Sequence, residues 1–343
     1  MKEDLARLTR ALRVEAQSLE MAARWPSAAL ARYGELGAWG WGIPERYGGA
    51  ERSVAERLTG YVALARGDMS TALYVTQHDG AVDLVVGSGN SGLRERWLPE
   101  FARGRVLSTI GYSQLTTSRQ AGRPAMEARR VDGGYRLDGV MPWVTGAPFV
   151  TNVACGAVLP DEEQLLVLLP MDTEGVEVLA PAPLAALNSS ATCAVRCRGV
   201  FLPESELIAG PEPAVLSSRS ALRLLLVSAT GVGLGRGIAD LIDETPMPSE
   251  IGARALEEGA RLERQLMALA GQDEAAQSDI DALRTEVNTW LLRMAGILML
   301  VAKGSGFRRC APAQRMANEA LFFCVWSVSG AVRDATLSRL MAG

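Results

Sequence analysis

This chain of 343 residues has one histidine, His78, and two lysines, Lys2 and Lys303. A single imidazole cannot assemble a His-rich metal site. With no G-x-S-x-G elbow in the sequence, a hydrolytic Ser-His-Asp arrangement would also have to use His78. Cationic surplus is missing too: 39 Asp and Glu against 35 Lys and Arg leave a formal charge of −4. Nucleic-acid surfaces need clustered cations, so no nucleic-acid partner is expected. The longest apolar run, Met294 to Ala302, falls far short of the roughly 20 residues that span a bilayer. No membrane partner is expected either. The N-terminus carries Glu3, Asp4, Glu15 and Glu20, unlike a signal or transit peptide. Five cysteines in a chain without an export signal fit a reducing, cytoplasmic location. Cys193 and Cys197 stand four apart on a predicted strand, hence on one face, and read as small buried hydrophobes.

What remains is ordinary globular composition, 48% hydrophobic and 22% charged, with enough length for two or three structural units. Residues 1–110 read as helical. Leu5, Leu8 and Leu12 recur at helical spacing behind Asp4, a candidate N-cap. Gly42-Ile-Pro-Glu-Arg-Tyr-Gly-Gly49 forms a turn-rich connection, and helical patterns resume over 54–65 and 70–86. From 111 to 209 the period falls to two. Candidate strands lie at 107–115, 125–131, 134–140, 150–158, 164–170 and 192–201, which predicts a closed or sandwich β domain. From 214 to 343 the helical period returns in four segments, 214–243, 249–270, 278–303 and 311–340. Leu291, Met294, Leu298 and Val301 mark a buried face.

Several local signatures fall in order along these regions. Gly133-Gly-Tyr-Arg-Leu-Asp-Gly-Val-Met-Pro-Trp-Val-Thr-Gly146 carries two turns and ends on Trp143-Val144-Thr145. Trp97-Leu98-Pro99 precedes Ala102-Arg103-Gly104, and Val195 to Pro211 closes the β region. Together with the Pro-Glu-Arg-Tyr-Gly-Gly turn, these segments resemble the acyl-CoA dehydrogenase superfamily over nearly the whole chain. The resemblance implies an N-terminal α-helical domain, a middle β-barrel and a C-terminal four-helix bundle, assembled as a homodimer or homotetramer.

It also implies a flavin, FAD or FMN. In the family the Trp of the hairpin packs against the isoalloxazine and the Thr bonds its polar edge, here Trp143 and Thr145. Two residues apart on a strand, both reach one side. Leu115 and Thr116 correspond to residues lining the other side of the flavin. Arg123 stands near the family's pyrophosphate contact, where its planar fork suits phosphate. Gly304 and Gly306 match a segment that holds the adenine end.

The catalytic position departs from the family. The family's Glu takes the α-proton of an acyl thioester, and the matching position here is Ser327, whose hydroxyl cannot accept that proton near neutral pH. A second location used by some relatives matches Arg223. Glu319 aligns with a structural carboxylate. The family's Arg-x-x-Phe-Gly segment is replaced by Glu244-Thr-Pro-Met-Pro-Ser-Glu-Ile-Gly252. His78 suits either structural packing or a place near the flavin, as in monooxygenases on this fold. The glycines from Gly231 to Gly237 lack dinucleotide-binding spacing and read as close helix packing.

Three functions follow. The first is a flavin-dependent oxidoreductase acting on an acyl thioester, carried by CoA or by a carrier protein. The second is a reduced-flavin-dependent monooxygenase, which needs no carboxylate base. The third is a non-catalytic binding or partner subunit.

Overall fold

The computed structural model describes residues 1–115, 125–216, 221–245, 249–272, 274–309 and 311–342. The chain begins with five helices: α1 (Lys2–Met21), α2 (Ser27–Glu35), α3 (Val54–Gly67), α4 (Met69–Val86) and α5 (Ser91–Ala102). Their starts are written locally. Ser53 and Glu56 form a reciprocal capping box on α3, Asp68 accepts the Thr71 N–H at 2.8 Å on α4, and Asn90 accepts the Leu93 N–H at 3.1 Å on α5. Such caps contribute about 1 kcal/mol each. Asp4 is not the cap of α1. The helix starts at Lys2, and Asp4 lies in its first turn, 2.9 Å from the N-terminal ammonium. Nearly every residue of α4 is buried, so this helix runs through the middle of the domain and its polar groups need internal partners.

Among the described residues eight strands follow: β1 (Ser108–Gly111), β2 (Met126–Val131), β3 (Gly134–Val144), β4 (Asn152–Val158), β5 (Gln164–Pro170), β6 (Val176–Pro181), β7 (Cys193–Pro203) and β8 (Leu207–Glu212). They form one mixed sheet in the order β6-β7-β3-β2-β4-β5-β8, with β1 paired in parallel to β4. β4 and β5 are buried almost throughout, matching their unbroken apolar runs. Cys193 and Cys197 are both buried on β7 and unpaired.

Among the described residues five C-terminal helices follow: α6 (Ala221–Asp243), α7 (Ser249–Ala270), α8 (Gln277–Gly306), α9 (Pro312–Phe322) and α10 (Gly330–Met341). α6 is long and apolar enough to cross a membrane, yet 83% of that stretch is buried inside the protein. It packs on α3, α7 and α8. Its glycine stripe explains the approach: a Cβ on Gly235 would lie 2.0 Å from Cζ3 of Trp290 on α8. α8 departs from helical geometry at Lys303. The helical segment expected over 311–340 is broken in two, α9 and α10, by a turn over 323–329. That turn helps form the site.

Candidate active site

Where β1, β3, α4, α6, α9 and the 182–192 loop meet, they enclose a cavity of ≈ 560 Å³. This lies within the usual range for a small-molecule site.

The most exposed aromatic face in that cavity is the indole of Trp143, 51% exposed. It sits where β3 gains a residue against β7: Met141 pairs with Val195 and Val144 with Cys193. A bulge of this kind re-aims a side chain out of the regular pleat. Met141 and Val144, fully buried on either side, anchor the strand to the core. Thr145 follows, buried, with its hydroxyl 3.3 Å from that of Thr192, which is 2.8 Å from Ser190 Oγ. Three hydroxyls in a chain can pass donor and acceptor roles along the line. Gly146 ends the segment at φ 72, where a Cβ would meet Trp25 and Tyr74 at under 3.0 Å. Only glycine fits there.

The 182–192 loop supplies Leu184 to Leu187 and Thr192 to the wall. It is tied from two sides. Glu20 of α1 accepts from Asn188 Nδ2 at 2.8 Å, from the Asn188 N–H at 3.0 Å and from the Ser189 N–H at 3.2 Å. Asn318 of α9 donates to the Ala185 carbonyl at 3.0 Å. Four anchored contacts make this a fixed wall.

α4 turns Leu73 and Gln77 toward the cavity, one helical turn apart. Its other faces are occupied by packing. His78 is fully buried, with Trp39 and Phe101 edge-on to its ring. Its Nδ1 accepts the Ser108 N–H at 3.0 Å, and Nε2 has no partner. Burial pulls its pKa down to about 4, so the ring is neutral near pH 7. Asp79 is pushed up to about 7 by burial, against the pull of Arg57 and of the Tyr61 hydroxyl that donates to it. Arg57 is shared with Asp83 at 3.0 Å.

Arg223 of α6 is the one charged residue lining the cavity among the described residues. Its guanidinium lies 6.0 Å from the Tyr112 ring centroid, with one weak bond of 3.5 Å to the Thr76 carbonyl. No carboxylate and no imidazole joins it in the described lining.

The remaining wall is α9 and the turn after it, with Phe322 stacked on Trp326 at 5.4 Å between centroids. Buried Arg284 of α8 pins that turn, donating to the carbonyls of Trp326 at 2.9 Å and Phe323 at 3.4 Å. Ser327 occupies the turn at φ 51, half-buried and lining the cavity. Glu319 points elsewhere: it pairs with Arg315 at 2.7 Å in a buried cluster with Asp68. Burial pushes its pKa up to about 7.

Of the residues singled out from sequence, the structure brings Trp143, Thr145, Arg223 and Ser327 into one cavity. Leu115 is not part of its lining and is buried beside Gly156. His78, on α4, does not line the cavity and packs among aromatic rings. Gly304 and Gly306 end α8, away from the lining, and Gly306 abuts Ala302. Thr116 and Arg123 fall outside the described residues. Tyr112, Gln77, Thr192 and Asn318 join the site without having been singled out. Each comes from a separate element, and no local pattern marks them.

The chain matches the profile of the family described as acyl-CoA dehydrogenase, N-terminal domain, over residues 5–105. Together with the curated relatives and solved structures below, this match supports the acyl-CoA dehydrogenase superfamily. Benzylmalonyl-CoA dehydrogenase of Aromatoleum aromaticum is 28% identical over 205 residues, 58% of this chain and 53% of that protein. The match therefore spans about half the length of this curated acyl-CoA dehydrogenase relative. Among solved structures, a glutaryl-CoA dehydrogenase from Mycobacterium smegmatis in complex with FADH2 is 20% identical. It has a TM-score of 0.80 over 99% of this chain and 94% of that one. A dibenzothiophene monooxygenase from a Paenibacillus species is 14% identical, with a TM-score of 0.78 over 99% and 96%. These two likenesses carry the acyl-CoA dehydrogenase fold; the site must be read from its own residues.

Proposed function

We propose that the chain is a flavin-dependent oxidoreductase that takes an acyl thioester, on CoA or on a carrier protein, with FAD as its cofactor. The observation that carries this reading is the indole of Trp143, half exposed inside a cavity of ≈ 560 Å³ beside the Thr145 hydroxyl. A flat apolar platform next to a directed polar group suits a fused ring with one polar edge. The donor set fits as well, since the chain Ser190–Thr192–Thr145 leaves hydroxyl capacity for carbonyl or ring nitrogen atoms.

When bound, the flavin supplies the site with hydride or electron acceptance. The protein's part is positioning and electrostatics. Trp143 fixes the plane, and Thr145 fixes rotation within it. Leu73, Ile110, Leu224, Val227 and Phe322 keep water from the reacting groups, which strengthens every charge interaction inside. Arg223 is set to stabilise negative charge developing on a thioester carbonyl oxygen.

One observation favours a second reading. Ser327 is the residue at the turn, and no described lining group can accept a proton near neutral pH. A monooxygenase that uses reduced flavin and oxygen has no such requirement. The same reading takes the protein to be a homodimer or homotetramer in the cytoplasm. Free thiols at Cys155, Cys193, Cys197 and Cys324 agree with a reducing compartment.

The test is the visible spectrum of the protein mixed with FAD or FMN, followed by anaerobic addition of acyl-CoAs. Bleaching by an acyl-CoA supports the dehydrogenase reading. Turnover only with reduced flavin and oxygen supports the second. A protein that leaves both flavins unbound rejects both.

A further inference from the structure

A second cavity, of ≈ 320 Å³, lies beyond the turn of Ser327. Leu224, Val227 and Ser327 line both cavities, so the two share one wall. The lining of the second cavity includes Arg284, only 5% exposed. Among the described residues no carboxylate lies within ion-pair distance of this guanidinium. Its partners are the carbonyls of Trp326 at 2.9 Å, Phe323 at 3.4 Å and Val227 at 3.5 Å, with the Phe323 ring centroid 4.9 Å away. Its Nε has no partner. A buried cation held only by carbonyl dipoles is costly, and here burial pulls the guanidinium down to about 9.

The first turn of α10 also lines this cavity, through Ala331 and Val332. Its N-cap Ser329 lines the cavity and accepts the Val332 N–H at 3.2 Å. The positive end of the helix dipole therefore faces the same void as Arg284. Asp281 is the one carboxylate in the lining among the described residues. Gln277 holds it through a 2.9 Å bond, beyond ion-pair reach of Arg284.

We propose that the second cavity is a subsite for an anionic oxygen group, a carboxylate or a phosphate. The group is carried by the ligand whose body occupies the first cavity. A guanidinium without a counter-charge and a helix N-terminus, converging on one void, are the elements that bind such anions. That the anion is tethered to an acyl thioester rests on the function proposed above. The subsite itself rests on the surroundings of Arg284.

The probes are orthophosphate, butyryl-CoA and glutaryl-CoA, titrated by calorimetry into the full chain and into Arg284→Met and Asp281→Asn. Visible absorbance of added FAD is recorded on the same samples, so loss of flavin binding is seen separately. Arg284→Met also removes the bonds that pin the turn, whereas Asp281→Asn leaves them in place. Glutaryl-CoA should bind about tenfold tighter than butyryl-CoA. That preference should vanish in Arg284→Met and grow in Asp281→Asn. Equal affinity for the two thioesters that falls alike for both in Arg284→Met assigns the subsite to a phosphate of CoA. Equal affinity unchanged in Arg284→Met, with orthophosphate binding that is lost, gives the subsite to a free anion and overturns the tether. If Asp281→Asn changes no anion's affinity and orthophosphate does not bind, the subsite is overturned whatever the flavin result.

Discussion

Replacing Trp143 with Ala separates a cofactor platform from a core residue. The indole is 51% exposed, and a Trp side chain presents roughly 250 Å² of surface, leaving at most about 125 Å² open to the cavity. A ring covering half to all of that face removes about 60–125 Å² from water, or about 1.5–3 kcal/mol at roughly 25 cal/mol per Å². The flavin Kd should therefore rise between about tenfold and 150-fold. In the ligand-free chain the same change deletes a group already half in water, while Met141 and Val144 keep the strand anchored. The melting transition should move by less than about 1 kcal/mol. Fluorescence titration with FAD and FMN gives the first quantity and thermal melts without flavin give the second. A Kd within about twofold of the parent value would show that no ring rests on the indole. A collapsed melt would show that Trp143 is structural.

Thr145→Val keeps the volume but cuts the hydroxyl chain, so flavin binding should weaken by about 0.5–1.5 kcal/mol and recover in Thr145→Ser; equal loss in both variants contradicts the hydrogen-bond role. Gly235→Ala places a methyl 2.0 Å from Trp290 Cζ3, and overpacking of this kind should lower stability by about 1–3 kcal/mol in a thermal melt. Asp79 is held at about 7 in the folded protein against an ordinary 3.8, so the folded state keeps a proton that the unfolded chain releases. Its contribution is full below the unfolded value and is lost as pH rises through about 7. Asp79→Asn should flatten the fall in melting temperature between those limits; an unchanged profile contradicts the burial assignment.

The helices were legible where caps and spacing are local. The Ser53–Glu56 box and the apolar face of α8 needed no tertiary information. The break between α9 and α10 did not show, because 311–340 contains no proline after the first turn and keeps a helical pattern. Arg284, reaching across from α8 to the carbonyls of Phe323 and Trp326, stabilises that turn. β6 and β8 were also missed. β6 is largely exposed at the sheet edge, and β8 carries Gly210-Pro211, so neither shows the alternation of a half-buried strand. At the site, Trp143 and Thr145 were readable because one strand end holds both. Gln77, Arg223 and Asn318 converge from three helices, and only the packed chain brings them together. His78 shows the opposite limit. Its place on α4 was clear from spacing, but on a helix buried nearly all round no periodicity says which face a ring takes.

The most direct measurement is a crystal structure of the protein grown with FAD. Density for the isoalloxazine should lie flat against the Trp143 indole, with a polar ring atom in hydrogen-bond range of the Thr145 hydroxyl. A flavin bound elsewhere, or a cavity filled by the 182–192 loop with the indole packed against protein, would contradict the proposed site.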